Sequence, residues 1–333
     1  MDMKLFALNS SKDWGEKMAE HLTINLATHE ERDFEDGEHK IRTLECVRGE
    51  HIFVVQSLFS DLEQTVNDKL CRLLFFISSL KDACAERVTA VIPYFAYARK
   101  DRRTQSRDPV TMRYMAQLLE SAGTDRVITM DIHNLAAFQN AFRIPTDHLQ
   151  AMVLFARYFS QIMVNEKVVI VSPDAGGLKR AEQFRELFEN FLQQDVEKAF
   201  LSKKRSLGVV SGGQEVVGNV QGRMAIIIDD IISSGTTISL AVQALHEQKA
   251  KKIWVCASHG IFVGKANEVL ADSRIEKIIV TNSISPFRLN KNLLKEKVIV
   301  LDASFLFAKA IKQIVENGSI SEMLEEFPPL TQG

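Results

Sequence analysis

The chain has 333 residues, room for about two domains at roughly 150 residues each, and its 46% hydrophobic and 25% charged residues give the balance of an ordinary globular protein. That balance excludes a disordered chain and a coiled coil. Lys+Arg 41 against Asp+Glu 43 leaves a formal charge of −2, so there is no overall basic field to gather nucleic acid or anionic lipid, and any polyanion must be met locally.

The longest apolar stretch, around Leu70 to Leu80, is interrupted by Arg72 and falls short of the ~20 residues that cross a bilayer, so no membrane partner is expected. The opening MDMKLFALNSSKDWGEK turns polar after one short apolar run, unlike a secretory signal, and predicts a cytoplasmic protein. Cys46, Cys71, Cys84 and Cys256 form no CxxC pair. Three of them sit in apolar or helical surroundings and read as small core filler, with neither a disulfide nor a cysteine metal site expected.

In chain order, β-branched runs recur at 4–8, 52–56, 89–93, 126–130, 167–172, 224–229, 253–258 and 277–281. They are nearly continuous in apolar residues, as strands buried on both faces are. Helical patterns lie between them. Met115, Leu118, Leu119 and Ala122 recur at helical spacing after Asp108–Pro109, a pair suited to an N-cap and first helical position, and Ile238, Ala241, Val242 and Leu245 do the same. Alternation of this kind predicts an α/β protein with mainly parallel sheet. No Pro/Gly/Ser-rich linker marks a boundary, and the segment IPTDHLQA at 144–151 is the best candidate.

The strongest chemical signal is AIIIDDIISSGTT at 225–237: a strand, two adjacent carboxylates, then a small-residue turn opening a helix. Free backbone N–H groups and the positive end of the helix dipole converge at such a turn, which suits a monophosphate. Ser233, Ser234, Thr236 and Thr237 add hydroxyls, and Gly235 permits close approach. Asp229 and Asp230 stand where ligands of parallel sheets sit, able to accept from sugar hydroxyls or help hold a divalent cation. A second cationic segment runs from Arg99 to Asp108, with a formal surplus of three positive charges after a buried strand. Guanidinium forks suit a triphosphate tail, although a solvated surface or a subunit contact has the same pattern. Residues 30–38, by contrast, carry a local −5.

The 225–237 run resembles the ribose-5-phosphate loop of the phosphoribosyltransferase fold. With FEDGE at 34–38, VIPYFAYARKDRR at 91–103, RVITMDIH at 126–133 and VSPDAGG at 171–177, the chain resembles the ribose-phosphate diphosphokinases from near residue 3 to near residue 325. The resemblance implies two phosphoribosyltransferase-like domains, each a mainly parallel sheet flanked by helices. The first spans 1–147, completed by a C-terminal helix at 303–327, and the second spans 148–302, with the active site between them.

The same resemblance implies ATP binding by Phe34, Asp36, Glu38, Arg99, Lys100, Asp101 and His133, with Phe34 stacking on adenine. It implies Mg²⁺ on His133 and Asp174, Asp131 being a weaker candidate, and ribose 5-phosphate on Asp229, Asp230, Ser233, Ser234, Gly235, Thr236 and Thr237. Gly176 and Gly177 would admit a diphosphate. The Gly-rich segment 200–222 reads as a mobile flap carrying catalytic Lys203 and Arg205. A dimer-based homo-oligomer, a hexamer, is implied too. Lys100 replaces a usual Gln, Ser202 a frequent Asp, and Ser233 and Thr236 also depart from the pattern. The stretch after His133 is one residue longer than usual, in a region the family associates with effectors. A phosphoribosyltransferase using the same loop leaves FEDGE unexplained, and a non-catalytic regulatory homologue predicts damaged catalytic positions, which are intact here.

Overall fold

A computed structural model describes residues 3–206 and 209–325, with the backbone alone for 203–206, 209–214 and 324–325. The described residues divide into two compact units, 3–150 with 303–325, and 151–302.

In the first unit, strands β1 (Met3–Ala7), β4 (His51–Val55), β5 (Arg87–Ile92), β6 (Arg126–Met130) and β7 (Thr146–Leu149) form an all-parallel sheet in that order. β4 is buried along its whole length, the apolar run Ile52–Val55 following a buried His51. Strands β2 (His29–Asp33) and β3 (His39–Thr43) pair with each other as a separate antiparallel ribbon. Helices α1 (Lys12–Leu22), α2 (Val66–Asp82), α3 (Thr111–Ser121) and α4 (Leu135–Ala141) connect the strands. α2 starts on a capping box in which Thr65 and Asp68 satisfy each other's backbone amides. Its Leu70, Leu73, Phe76, Ile77 and Leu80 enter the core with Val54, Val88 and Ala90.

The second unit contains a seven-stranded sheet. In chain order the strands are β8 (Val168–Ser172), β9 (Glu197–Ser206), β10 (Val209–Val217), β11 (Met224–Ile232), β12 (Lys252–Gly260), β13 (Ile275–Thr281) and β14 (Val298–Leu301). Their spatial order is β10-β9-β8-β11-β12-β13-β14, parallel except for β9 against β10. The helices are α5 (Met152–Ile162), α6 (Leu178–Leu192), α7 (Thr236–Glu247), α8 (Ala266–Leu270) and α9 (Lys291–Lys297). Ile238, Ala241, Val242 and Leu245 of α7 are buried, as their spacing predicts. Two C-terminal helices, α10 (Ser304–Val315) and α11 (Ile320–Glu325), belong to the first unit, where Trp14 of α1 meets Phe307 edge-on at 4.9 Å. Among the described residues, no helix is long and apolar enough to cross a membrane.

Four details differ from the sequence reading. Asp108 does not cap α3, whose N-cap is Val110, because its carboxylate is taken by the preceding loop. The buried stripe of α3 is Met112, Met115, Ala116 and Leu119, which leaves Leu118 47% exposed. Of the cysteines only Cys256 is buried, while Cys46, Cys71 and Cys84 are exposed. Finally, within the 200–222 segment, 200–206 and 209–217 are paired strands of β9 and β10 with a register shift between Val210 and Gln214, while 207–208 lie outside the described residues.

Candidate active site

In the second unit, adjacent parallel strands β8 and β11 deliver the sugar-phosphate candidates at their carboxyl ends. β11 runs through Asp229 and Asp230 before Ser233 and Ser234 lead into α7. Gly235 is the N-cap of α7 at φ +81°, and a Cβ there would lie 2.9 Å from Val269 Cγ1. Glycine is therefore required twice over, by the backbone conformation and by close packing on α8. Thr236 and Thr237 open the helix, where first-turn N–H groups have no intrahelical acceptor and are presented to an anion. Ser234 Oγ and Thr236 Oγ1 lie 3.0 Å apart. The turn is braced from behind, since Val263 N donates to the Ser233 carbonyl at 3.0 Å.

The acid pair carries a partner that the sequence reading missed. Arg180 of α6 places Nη1 3.0 Å from Asp229 Oδ1 and 3.2 Å from Asp230 Oδ1. Asp230 N also donates to Asp229 Oδ1 at 2.9 Å. Burial and the neighbouring Asp230 carboxylate push the Asp229 carboxyl well above the usual range, and Arg180 opposes the shift. Arg180 lies six residues beyond Asp174, on the helix that VSPDAGG opens, yet nothing in KRAEQFRE distinguishes it from Arg185 as a site residue.

Asp174 follows β8, and its Oδ1 accepts from Gly176 N at 2.8 Å and Gly177 N at 3.0 Å. This Asx turn leads into α6, with Gly177 as N-cap. A Cβ on Gly177 would approach Ser172 Oγ to 2.7 Å, which accounts for glycine there. Lys203 and Arg205 fall on β9, opposite Gln214 and Val210 of β10. Their side chains lie outside the described residues.

The first unit holds the nucleotide candidates. Phe34, Asp36 and Glu38 occupy the turn of the β2–β3 ribbon, which Phe34 N closes by donating to the Glu38 carbonyl at 2.9 Å, with Gly37 at φ +91°. Phe34 is exposed, and the Arg32 guanidinium lies 5.4 Å from its ring centroid. Arg99, Lys100 and Asp101 follow β5, and Asp131 and His133 follow the neighbouring β6. The two loops are tied together: Asn134 Nδ2 donates to Asp101 Oδ2 at 2.5 Å while Asn134 Oδ1 caps α4 through Ala137 N. Arg99 and His133 are exposed, whereas the Lys100 ammonium is engaged by Asp108 within its own loop.

A parallel sheet that feeds an Asp–Asp pair and a hydroxyl-rich turn into a helix N-terminus defines a protein of the phosphoribosyl-binding α/β class. Comparison with known proteins narrows the class. The family model described as the N-terminal domain of ribose phosphate pyrophosphokinase matches residues 3–123, and the phosphoribosyl synthetase-associated domain matches 206–325. A ribose-phosphate pyrophosphokinase 1 of Listeria innocua is 39% identical, covering 97% of both chains, and one of Streptococcus pyogenes is 39% identical over 97% of this chain and 98% of its own. The crystal structure of phosphoribosylpyrophosphate synthetase from Mycobacterium smegmatis superposes with a TM-score of 0.85 at 33% identity, covering 96% of this chain and 100% of that one. The chain belongs to the ribose-phosphate pyrophosphokinase family.

Proposed function

We propose that the protein transfers the β,γ-diphosphate of ATP to the 1-hydroxyl of ribose 5-phosphate, giving 5-phosphoribosyl 1-diphosphate and AMP. The observation that carries this reading is the Asp229–Thr237 segment, in which two acids and a helix N-terminus stand one turn apart, as the diol and the phosphate of one sugar phosphate require. The amides and hydroxyls of Ser233, Ser234, Gly235, Thr236 and Thr237 bind the 5-phosphate. Asp229 and Asp230 accept from the ribose hydroxyls, with Arg180 fixing their orientation. Phe34, Asp36 and Glu38 hold adenine, and Arg99, Lys100, Asp101 and His133 serve the triphosphate.

The 1-hydroxyl oxygen then bonds to the β-phosphorus and gives up its proton to solvent as the bond from that phosphorus to the α,β-bridging oxygen breaks, and that oxygen leaves with AMP. Such transfers depend on alignment and charge neutralisation, which assigns Lys203 and Arg205 to the migrating diphosphate. Mg²⁺ fits the donor set. Among the described residues no three His, Cys, Asp or Glu side chains converge, and Mg²⁺ commonly keeps waters and substrate phosphates beside one or two protein ligands. Asp174 spends Oδ1 on two backbone amides, which orients the carboxylate and leaves Oδ2 for a cation. Asp174 in the second unit and His133 in the first are the candidate ligands, and a bound ion would supply charge neutralisation on the phosphate oxygens.

A cytoplasmic, dimer-based hexamer goes with this reading. The test is incubation of the protein with ATP, ribose 5-phosphate and Mg²⁺. AMP and phosphoribosyl diphosphate should appear in equal amounts, and sugar-independent AMP or release of ADP would overturn the assignment.

A further inference from the structure

Arg72 breaks the apolar run of α2, and the structure shows where its charge goes. The side chain is 8% exposed, and its guanidinium spans two acids of β2: Nη1 lies 3.3 Å from Glu31 Oε2, and Nη2 bonds Asp33 Oδ1. Glu31 is itself buried, with 3% of its side chain exposed, and its other oxygen accepts from His29 Nε2 at 2.9 Å and from Asn9 N at 2.6 Å. Burial alone would raise the Glu31 carboxyl, but these donors and Arg72 outweigh it and hold the group ionised. One turn along α2, Phe75 stacks on His39 of β3 at 5.4 Å. A single helix face therefore grips both strands of the ribbon.

The ribbon needs such a grip. It has two strands, among the described residues it shares no hydrogen-bond ladder with the five-stranded sheet, and a lone hairpin is marginal in water. Its turn begins at Phe34, the residue after the Arg72-bound Asp33. We propose that Arg72 is a positioning residue for the nucleotide: by clamping Glu31 and Asp33 of β2 to α2, it fixes where the Phe34–Glu38 turn is presented. The inference rests on the reading of that turn as the adenine site. Arginine is needed because a planar fork reaches two carboxylates at once, and the single ammonium of lysine does not reproduce it.

The test compares Arg72→Met, Arg72→Lys and Phe34→Ala in the full chain by steady-state kinetics, with amide hydrogen exchange of residues 29–43. Arg72→Met should raise the KM for ATP by about tenfold, with kcat and the KM for ribose 5-phosphate within about twofold. Arg72→Lys should fall between it and the parent. Exchange should quicken in 29–33 and 39–43 while β4 and β5 stay protected. A KM for ATP unchanged in both Arg72 variants, with a raised one in Phe34→Ala, overturns the role of Arg72 and leaves the adenine site standing. An unchanged KM in Phe34→Ala overturns the adenine site and this inference with it. Should Arg72→Met fail to fold, the lysine variant decides by the same KM split.

Discussion

Lys100 Nζ lies 2.5 Å from Asp108 Oδ2, and that one carboxylate oxygen also accepts from Thr104 N at 3.0 Å, Thr104 Oγ1 at 2.7 Å and Gln105 N at 3.0 Å. The Lys100 ammonium, followed by the Thr104 and Gln105 donors, holds the Asp108 carboxyl far below the usual range. The cationic loop is wound around its own acid. Lys100 thus organises the loop that presents Arg99, Arg102, Arg103 and Arg107, the job left open by its replacement of the family's Gln.

Asp108→Ala should accordingly loosen that loop and raise the KM for ATP by about three- to tenfold, because the loop must then be ordered on binding. The KM for ribose 5-phosphate should stay within twofold. Initial rates with each substrate varied in turn check this, and an unchanged KM for ATP would mean that loop order does not limit binding.

Arg180→Gln removes the one guanidinium nitrogen shared by Asp229 and Asp230. Charge-assisted bonds of this kind are worth about 1.5–3 kcal/mol, so the KM for ribose 5-phosphate should rise by about tenfold or more. The sign with pH follows from the acids. Burial and Asp230 raise the Asp229 carboxyl, Arg180 lowers it, and removing Arg180 raises it further. The rise of kcat/KM for ribose 5-phosphate with pH should therefore move to higher pH, and an unmoved profile would count against ionised Asp229 as the hydroxyl acceptor.

Most of the parallel sheet was legible because strands buried on both faces are nearly continuous in apolar residues, as Val168–Val171 and Ile226–Ile228 are. The β2–β3 ribbon was not, since HEERD and HKIRT are polar strands held by ion pairs and by α2 rather than by a core pattern. At the site, Asp229 to Thr237 could be read locally because acids, hydroxyls and glycine are consecutive in the chain. Arg180 is 49 residues from Asp229, and Arg72 is 41 from Glu31. Pairings at that separation exist only once the topology brings α6 over β11 and α2 over the β2–β3 ribbon.

Gly235→Ala should cost about 1–3 kcal/mol of stability, since alanine at φ +81° is strained and its methyl meets Val269 Cγ1 at 2.9 Å. Ribose 5-phosphate affinity should fall as the turn shifts. Adding Val269→Ala should recover the steric part and leave the backbone part, which a double-mutant cycle in urea separates. Full recovery would show that packing alone demands the glycine.

His51, 4% exposed in β4, hydrogen-bonds Thr89 Oγ1 through Nε2 at 2.8 Å and stacks on Phe53 at 4.3 Å. Burial, helped by Arg87 and Arg126, depresses its pKa from 6.5 to about 4. Between those values the unfolded chain takes up a proton that the folded protein refuses, so folding stability is fully present above about pH 6.5 and declines as pH falls towards 4. By pH 4.5 the loss from this one group should reach about 2–3 kcal/mol. His51→Gln keeps a polar partner for Thr89 but cannot charge, and it should lose that much less between pH 7 and 4.5. Urea midpoints of the two proteins at both pH values decide, and parallel losses would place the acid sensitivity elsewhere.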